Sequence, residues 1–154
     1  MIKILFICHG NICRSPMAEF IMMQMLADRG LTNQFEVSSA ATSTEEIWRG
    51  KGNPVYPPAR RELARHGIDC AGKTARQVTK ADYDYYDYLL CAEEMNIRNL
   101  RYIIPSDPQH KIHRMLAYAK HPRDIDDPWY SGNFDTVYTD IVEACESLLA
   151  HLGY

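Results

Sequence analysis

The first sixteen residues constrain the fold more than any other part of this 154-residue chain. Residues 2 to 7 are apolar with one exception, a run typical of a strand that is buried on both faces of a parallel sheet. Residues 8 to 15 follow as a short loop that contains a glycine, and Ser15 and Pro16 are typical of the N-cap and first position of a helix. The stretch therefore predicts a strand, a loop that starts at Cys8, and a helix.

The rest of the chain alternates between helix and strand patterns. The helix patterns cover residues 16–29, 57–66, 93–104 and 134–152. The later strand patterns cover residues 35–39, 88–91 and 111–116. This alternation predicts an α/β fold in which a four-stranded parallel sheet carries helices on both faces. Since no linker or internal repeat divides the chain, we interpret residues 1 to 154 as a single domain.

Two stretches between these elements are less regular. Residues 40 to 58 form a long loop with glycines and prolines near its middle, and loops of that length are usually functional or mobile. Four tyrosines precede the third strand, at positions 83, 85, 86 and 88. We interpret their spacing as alternation within strand and loop, and assign them no function.

The loop after the first strand has the chemistry of an anion site. Its backbone N–H groups, the N-terminus of the following helix and the Arg14 guanidinium can converge on one tetrahedral oxyanion. The same positive field stabilises a thiolate, so we expect Cys8 to be ionised at neutral pH. The spacing C-x5-R places nucleophile and cation at opposite ends of a cradle about one phosphate wide. The alternative interpretation is that Cys8 is an ordinary small buried residue.

A second group of polar residues lies far along the chain, where Asp124, Asp126 and Asp127 occur within residues 123 to 130. A thiolate that attacks a phosphate monoester needs an acid to protonate the departing oxygen. Asp127 is the best candidate, because Pro128 stiffens the turn and the neighbouring aspartates favour its protonated form. By composition alone, the same residues could form a solvated surface loop.

Composition excludes several classes of function. A net charge of −3 and a pI near 6.0 argue against a nucleic-acid partner. No apolar run approaches the roughly 20 residues of a membrane span, and no secretory signal is recognisable. The five cysteines are odd in number and scattered, which indicates a reducing compartment and a cytoplasmic location. None of them has the spacing of a zinc site, so no metal is expected.

Residues 8 to 20, C-H-G-N-I-C-R-S-P-M-A-E-F, resemble the phosphate-binding signature of the low-molecular-weight protein tyrosine phosphatases. Residues 127 to 138, D-P-W-Y-S-G-N-F-D-T-V-Y, resemble the general-acid loop and final helix of that family. Three further segments occur in family order, namely S-S-A-A-T-S, R-H-G-I and A-R-Q-V-T. The resemblance implies a hydrolase that acts on phosphotyrosine in proteins and on aryl phosphates, needs no cofactor, and is a monomer or weak homodimer.

The resemblance also implies roles for individual residues. Cys8 would be the nucleophile that forms a phosphocysteine, Arg14 the phosphate clamp, and Asp127 the acid of the first step and the base of the second. Ser15 would hydrogen-bond the Cys8 sulfur. The other residues of the phosphate-binding loop would be His9, Gly10, Asn11, Ile12 and Cys13. The polar network that supports this loop would consist of Asn11, Ser39 and His66.

Substrate choice is expected to come from the walls of the pocket. Trp129 and Tyr130 can sandwich a flat ring, which favours phosphotyrosine over phosphoserine. Relatives that act on phosphoarginine tend to carry threonine where this chain has Ile12. The chain departs from the family after the A-A-T-S segment: either Trp48 takes over one wall, or Glu45 and Glu46 form an acidic rim.

Cys13 suggests redox regulation, because a second thiol near a reactive one can trap a sulfenic acid as a disulfide. Two alternative functions remain open from the sequence. Arsenate reduction uses the same loop but needs a close pair of cysteines near the third strand, where Cys91 stands alone. A silent phosphate-binding module would be produced by loss of the nucleophile, the clamp or the acid, and all of these are present.

Overall fold

A computed structural model describes residues 1 to 154. The strands are β1 (Ile2–Cys8), β2 (Phe35–Ala41), β3 (Ile47–Trp48), β4 (Lys51–Gly52), β5 (Tyr88–Cys91) and β6 (Ile112–Arg114). The helices are α1 (Arg14–Asp28), α2 (Pro57–Arg65), α3 (Lys80–Tyr85), α4 (Glu94–Leu100), α5 (Pro128–Ser131) and α6 (Phe134–His151). A short 3₁₀ turn, Thr32–Gln34, precedes β2. None of the helices combines the length and the apolar character needed to cross a bilayer.

The central sheet has four parallel strands, as the sequence predicts, and their order is β2-β1-β5-β6. Strand β1 pairs with β2 from Ile2–Phe35 to Cys8–Ala41, and with β5 on its other side. Because β1 is an inner strand, its backbone is hydrogen-bonded on both edges. Cys8 therefore lies at the carboxyl edge of the sheet, next to the ends of β2 and β5, where open α/β sheets bind ligands.

Alternate side chains of β1 enter two separate apolar layers. Ile4 and Phe6 point to the larger layer, which α1 and α6 cover, and Cys8 shares this face. Leu5 and Ile7 point to the smaller layer on the other face, which contains residues of α3 and α4. Helices on both faces, expected from the alternating pattern, are thus confirmed, and Cys8 faces the side from which α1 begins.

Helix α1 begins earlier than its sequence predicts. The N-cap is Cys13, not Ser15, so Arg14 and Ser15 lie inside the first turn. The reason is that the Ser15 hydroxyl lies 3.0 Å from the Cys8 sulfur and is not used as a helix cap. The early start also places Arg14 in the first helical turn, where its side chain lines the same cavity as Cys8.

Two other stretches differ from expectation. The tyrosine-rich segment contains helix α3, because Thr79 and Asp82 form a capping box that starts a helical turn. The long loop after β2 contains the small antiparallel hairpin β3–β4. Gly52 permits this hairpin to lie against the chain near Ala75, since a Cβ at that position would come within 1.8 Å of the Ala75 carbonyl oxygen.

Candidate active site

The loop between β1 and α1 is held by Asn11, which is buried and has a positive φ of 60°. Asparagine is one of the few residues other than glycine that adopt this conformation readily. Its Nδ2 donates to Ser15 Oγ (2.8 Å) and Ser39 Oγ (3.0 Å), and its Oδ1 accepts from the Arg76 N–H (3.1 Å). One side chain thus ties the loop to α1, to β2 and to the segment before α3.

The Cys8 sulfur lies at the bottom of this loop. Ser15 Oγ is 3.0 Å from it, and the Asn11 N–H donates to it over 3.3 Å. The N-terminus of α1 follows the loop, so polar groups surround the sulfur on this side. Cys8 thus has polar contacts that a cysteine used only for packing would lack.

Arg14 is almost completely buried, with 2 % of its surface exposed. Its Nη1 donates to Glu93 Oε2 (2.8 Å) and to the Ile125 carbonyl oxygen (2.9 Å), while its Nη2 lies 3.6 Å from Asp127 Oδ2. Burial by itself would lower the pKa of Arg14, but the negative charges of Cys8, Glu93 and Asp127 raise it above the usual value. The guanidinium is thus charged, and fixed in place along one edge.

Asp127 is the N-cap of α5, and its Oδ1 accepts a hydrogen bond from the Trp129 N–H (3.0 Å). The other oxygen faces Arg14. Asp124 pairs with Arg114 (3.2 Å) and accepts a hydrogen bond from the Glu94 N–H.

A cavity of about 260 Å³ unites these groups. Cys8, Arg14 and Asp127 line it together, although Asp127 lies more than a hundred residues from the other two in the chain. The remaining lining residues are His9, Gly10, Ile12, Cys13, Glu45, Glu46, Trp129 and Tyr130. The cavity therefore combines a thiol, a cation and a carboxylate with two aromatic side chains.

The structure decides between the two descriptions of the rim. Trp48 does not line the cavity: its side chain is 72 % exposed and lies against Arg49. Glu45 and Glu46 do line it, and Glu45 Oε2 is 2.9 Å from His9 Nε2. The rim is therefore acidic, and the expected role of Trp48 as a pocket wall is wrong, because the β3–β4 hairpin carries its ring outward.

The network that supports the loop contains Asn11 and Ser39, as the family resemblance implies, but Glu19 and Lys73 take part in it and His66 does not. Ser39 donates to Glu19 Oε1, and Lys73 Nζ lies 3.1 Å from Glu19 Oε1 and donates to the Ser39 carbonyl oxygen (2.9 Å). His66 is not part of this network. At the C-terminal end of α2 it contacts Glu62 (3.1 Å) and stacks on Tyr138 with ring centroids 3.6 Å apart.

Three of these functional residues were missed from the sequence. Glu19 has a detectable signal, because it is a charged residue on the buried side of an amphipathic helix, next to Ala18. Glu93 also has one, since it follows β5 at the carboxyl edge of the sheet, although its capping position explained it adequately. Lys73 has no signal in the sequence, because it lies in an irregular segment.

Cys13 also lines the cavity, but its properties differ from those of Cys8. Burial raises the pKa of the Cys13 thiol far above its ordinary value, and the negative charges of Cys8 and Asp127 raise it further. Cys13 therefore remains a protonated thiol at neutral pH. No group of three or more His, Cys, Asp or Glu side chains is arranged to hold a metal ion.

Residues 3 to 154 match the family model described as low molecular weight phosphotyrosine protein phosphatase. Among curated proteins, low molecular weight protein-tyrosine-phosphatase YfkJ of Bacillus subtilis is 39% identical over 154 residues, covering 99% of this chain and 96% of the relative. The chicken (Gallus gallus) low molecular weight phosphotyrosine protein phosphatase is also 39% identical, covering 96% of this chain and 93% of that protein.

Solved structures give the same result. The crystal structure of B. subtilis YfkJ superposes with a TM-score of 0.90 at 38% identity, covering 99% of this chain and 95% of that one. A Drosophila arginine phosphatase superposes with a TM-score of 0.87 at 27% identity, covering 99% of both chains. Together with the matching family model and the geometry of the cavity, these similarities place the chain in the low molecular weight phosphotyrosine protein phosphatase family.

Proposed function

We propose that this chain hydrolyses phosphotyrosine and other aryl phosphates in two displacements, with Cys8 as nucleophile, Arg14 as phosphate clamp and Asp127 as general acid and base. The observation that carries the proposal is the single cavity that all three side chains line. Residues 1 to 154 then act as one phosphatase domain. The chemistry is carried entirely by side chains and backbone amides.

In the first step, the Cys8 thiolate attacks phosphorus and the bond to the phenolic oxygen breaks. Protonated Asp127 gives its proton to that oxygen, so that a neutral phenol leaves. Negative charge on the three equatorial oxygens is met by the loop N–H groups and by the Nη2 edge of Arg14, whose other edge is held by Glu93. The product of this step is a phosphocysteine at Cys8.

In the second step, water attacks the phosphocysteine and the sulfur–phosphorus bond breaks. Asp127, now a carboxylate, accepts a proton from the water, and inorganic phosphate is released. The sulfur leaves as a thiolate that Ser15 Oγ and the Asn11 N–H stabilise. Those two contacts thus lower the barrier for breaking the covalent intermediate.

The pocket walls support phosphotyrosine as the substrate. Trp129 and Tyr130 follow the acid directly and border the cavity, so a substrate ring can lie between them. Ile12 forms an apolar wall within the phosphate loop. Since an arginine phosphatase shares this fold, the wall and not the fold must select the leaving group. We expect hydrolysis of phosphotyrosine to exceed that of phosphoarginine, and Ile12→Thr to reduce the difference.

The decisive test measures p-nitrophenyl phosphate hydrolysis with a chelator present throughout. Cys8→Ser should lose more than about 10⁴-fold in kcat, because an alcohol in this cavity is a far weaker nucleophile than a thiolate. Wild-type activity should be unchanged by the chelator. Retained activity in Cys8→Ser, or loss of wild-type activity with the chelator, would contradict the thiol mechanism.

We further propose that the chain works in the cytoplasm on phosphotyrosine-containing proteins, as a monomer or weak homodimer, without nucleic-acid or membrane partners. Five free cysteines, all buried, support a reducing compartment. The net charge of −3 supports the absence of a nucleic-acid partner. Sedimentation at increasing concentration tests the oligomeric state, and a stable trimer or larger assembly would contradict it.

Redox regulation is a further part of the proposal. Peroxide would oxidise the Cys8 thiolate to a sulfenic acid, and the Cys13 sulfur would displace water from it to form a disulfide that thiol reductants reverse. Because the raised pKa of Cys13 leaves little of its thiolate at neutral pH, we expect this second reaction to become faster as the pH rises. Intact-mass analysis after peroxide should show a loss of two hydrogens. Over-oxidised Cys8 without that species would refute the disulfide.

A further inference from the structure

A second and larger cavity opens beside the catalytic one. It has a volume of about 660 Å³, and Ile12, Glu46 and Trp129 line both cavities. These three residues form a shared rim, so a peptide substrate that enters the catalytic cavity can continue directly into the second cavity, which we call the groove. None of the remaining residues of the second cavity takes part in the proposed phosphoryl transfer.

The floor of this groove is apolar and tied to the catalytic loop. Pro54, Val55 and Tyr56 lead along it into the first turn of α2. The Tyr56 N–H donates to the Ile12 carbonyl oxygen (2.9 Å), and the Tyr56 ring lies 4.7 Å from that of Trp129. The volume lies within the range of about 300–1,000 Å³ that is usual for ligand sites.

The far end of the groove is basic. Arg60 and Arg61 line it from α2, and both are exposed. On the same helix Arg65 is paired with Glu62, whereas neither Arg60 nor Arg61 forms a salt bridge within the chain. Positive charge close to a helix N-terminus is unfavourable for the helix itself. The two guanidinium groups are therefore available to a ligand and contribute little to folding.

We propose that this groove binds the polypeptide segment on one side of the phosphotyrosine, and that Arg60 and Arg61 select an acidic side chain in that segment. The inference rests on the proposed function, because the shared rim matters only if a phosphorylated peptide occupies the catalytic cavity. Glu46 repels an acidic residue next to the phosphotyrosine. The preferred substrate thus has neutral or basic, then apolar, then acidic residues along the groove.

Peptide selectivity tests this arrangement. A set of phosphotyrosine peptides carries one glutamate moved through the second to fifth positions on either side, and a matching set carries lysine. An extended chain advances about 3.3 Å per residue, so only one or two positions can reach the arginines. We expect kcat/KM to rise about three- to tenfold for glutamate over lysine at those positions, and the preference to weaken at high salt.

The double variant Arg60→Glu, Arg61→Glu should reverse the preference in favour of lysine. Its hydrolysis of p-nitrophenyl phosphate should be unchanged, because that substrate does not reach the groove. Arg101→Glu is the matched control, since Arg101 is exposed after α4 and does not line the groove. It should leave the peptide preference as in the wild type.

The inference fails if the double variant keeps the preference for glutamate, or if Arg101→Glu alters it equally. It also fails if no position distinguishes glutamate from lysine. If p-nitrophenyl phosphate is not hydrolysed by the wild-type chain, the proposed function itself is wrong, and this outcome is distinct from a failed groove. Loss of both activities in the double variant alone would assign the arginines a structural role and refute the selection of acidic residues.

Discussion

The two sides of the catalytic cavity are held in different ways. On one side, the phosphate-binding loop is largely buried, and its side chains are fixed by hydrogen bonds that Asn11 donates to Ser15 and Arg14 donates to Glu93. On the other side, Asp127 precedes a four-residue helix whose aromatic residues are open to solvent, with Trp129 54 % and Tyr130 86 % exposed. The phosphate chemistry is the same for every substrate, so its groups can be preorganised, whereas the acid side must admit each substrate and release it.

This comparison predicts that the loop side tolerates substitution least. Arg14→Lys should lower kcat/KM for p-nitrophenyl phosphate by about 10³-fold, because an ammonium cannot contact Glu93, the Ile125 carbonyl and a phosphate in one plane. Thermal unfolding of the variant controls for misfolding. A loss of less than tenfold in a folded variant would mean that the guanidinium is a general positive charge and not a fixed clamp.

On the acid side of the cavity, the loss of kcat/KM caused by substituting Asp127 should depend on the leaving group of the substrate. Asp127→Asn should lower kcat/KM by about 10²-fold for phenyl phosphate but by less than about tenfold for p-nitrophenyl phosphate, whose phenolate leaves without a proton. Asparagine retains an oxygen for the Trp129 N–H, so the start of α5 is preserved. Equal losses for the two substrates would indicate that Asp127 positions the loop and does not donate a proton.

A substitution in the network behind the phosphate loop should lower the rate less than substitution of Arg14 or Asp127, but it should clearly lower the stability. Ser39→Ala removes the hydroxyl that links Asn11 to Glu19, so that each of these buried polar groups loses one of its hydrogen-bond partners. We expect a loss of about 1–3 kcal/mol in the free energy of unfolding, measured with urea, and a decrease in kcat of about tenfold. Ser38→Ala, one residue away on β2, is the matched control and should change neither quantity. Equal stability of the two variants would show that the network does not hold the loop.

The smallest effect is expected outside the cavity, at Trp48. Trp48→Ala should change kcat/KM for phosphotyrosine peptides by less than about twofold, because the ring lies outside both the cavity and the adjoining groove. A rise in KM of fivefold or more would show that the hairpin closes over bound substrate. The acid side of the cavity would then have a second movable wall.

Site residues that lie close together in the sequence could be predicted more readily than residues that lie far apart. Cys8 and Arg14 could be recognised because strand, loop and helix start lie within sixteen consecutive residues, and local patterns describe such segments. Asp127 was identified mainly through its resemblance to a known motif, since an aspartate before a proline is common on surfaces. Whether Trp48 lines the pocket could not be predicted, because the β3–β4 hairpin sets the direction of its side chain and sequence periodicity does not indicate that direction.

The amino-acid sequence by itself determined the four strands of the central sheet, the helices α1, α2, α4 and α6, the position of Cys8 at a strand end, and the residue types of the phosphate loop. These depend on apolar periodicity and on neighbours within a few residues. Only the tertiary structure decided that Glu93 holds Arg14, that Glu19 and Lys73 replace His66 behind the loop, and that a basic groove adjoins the cavity. Those contacts join residues from separate elements, and such pairings arise only when the chain packs around its sheet.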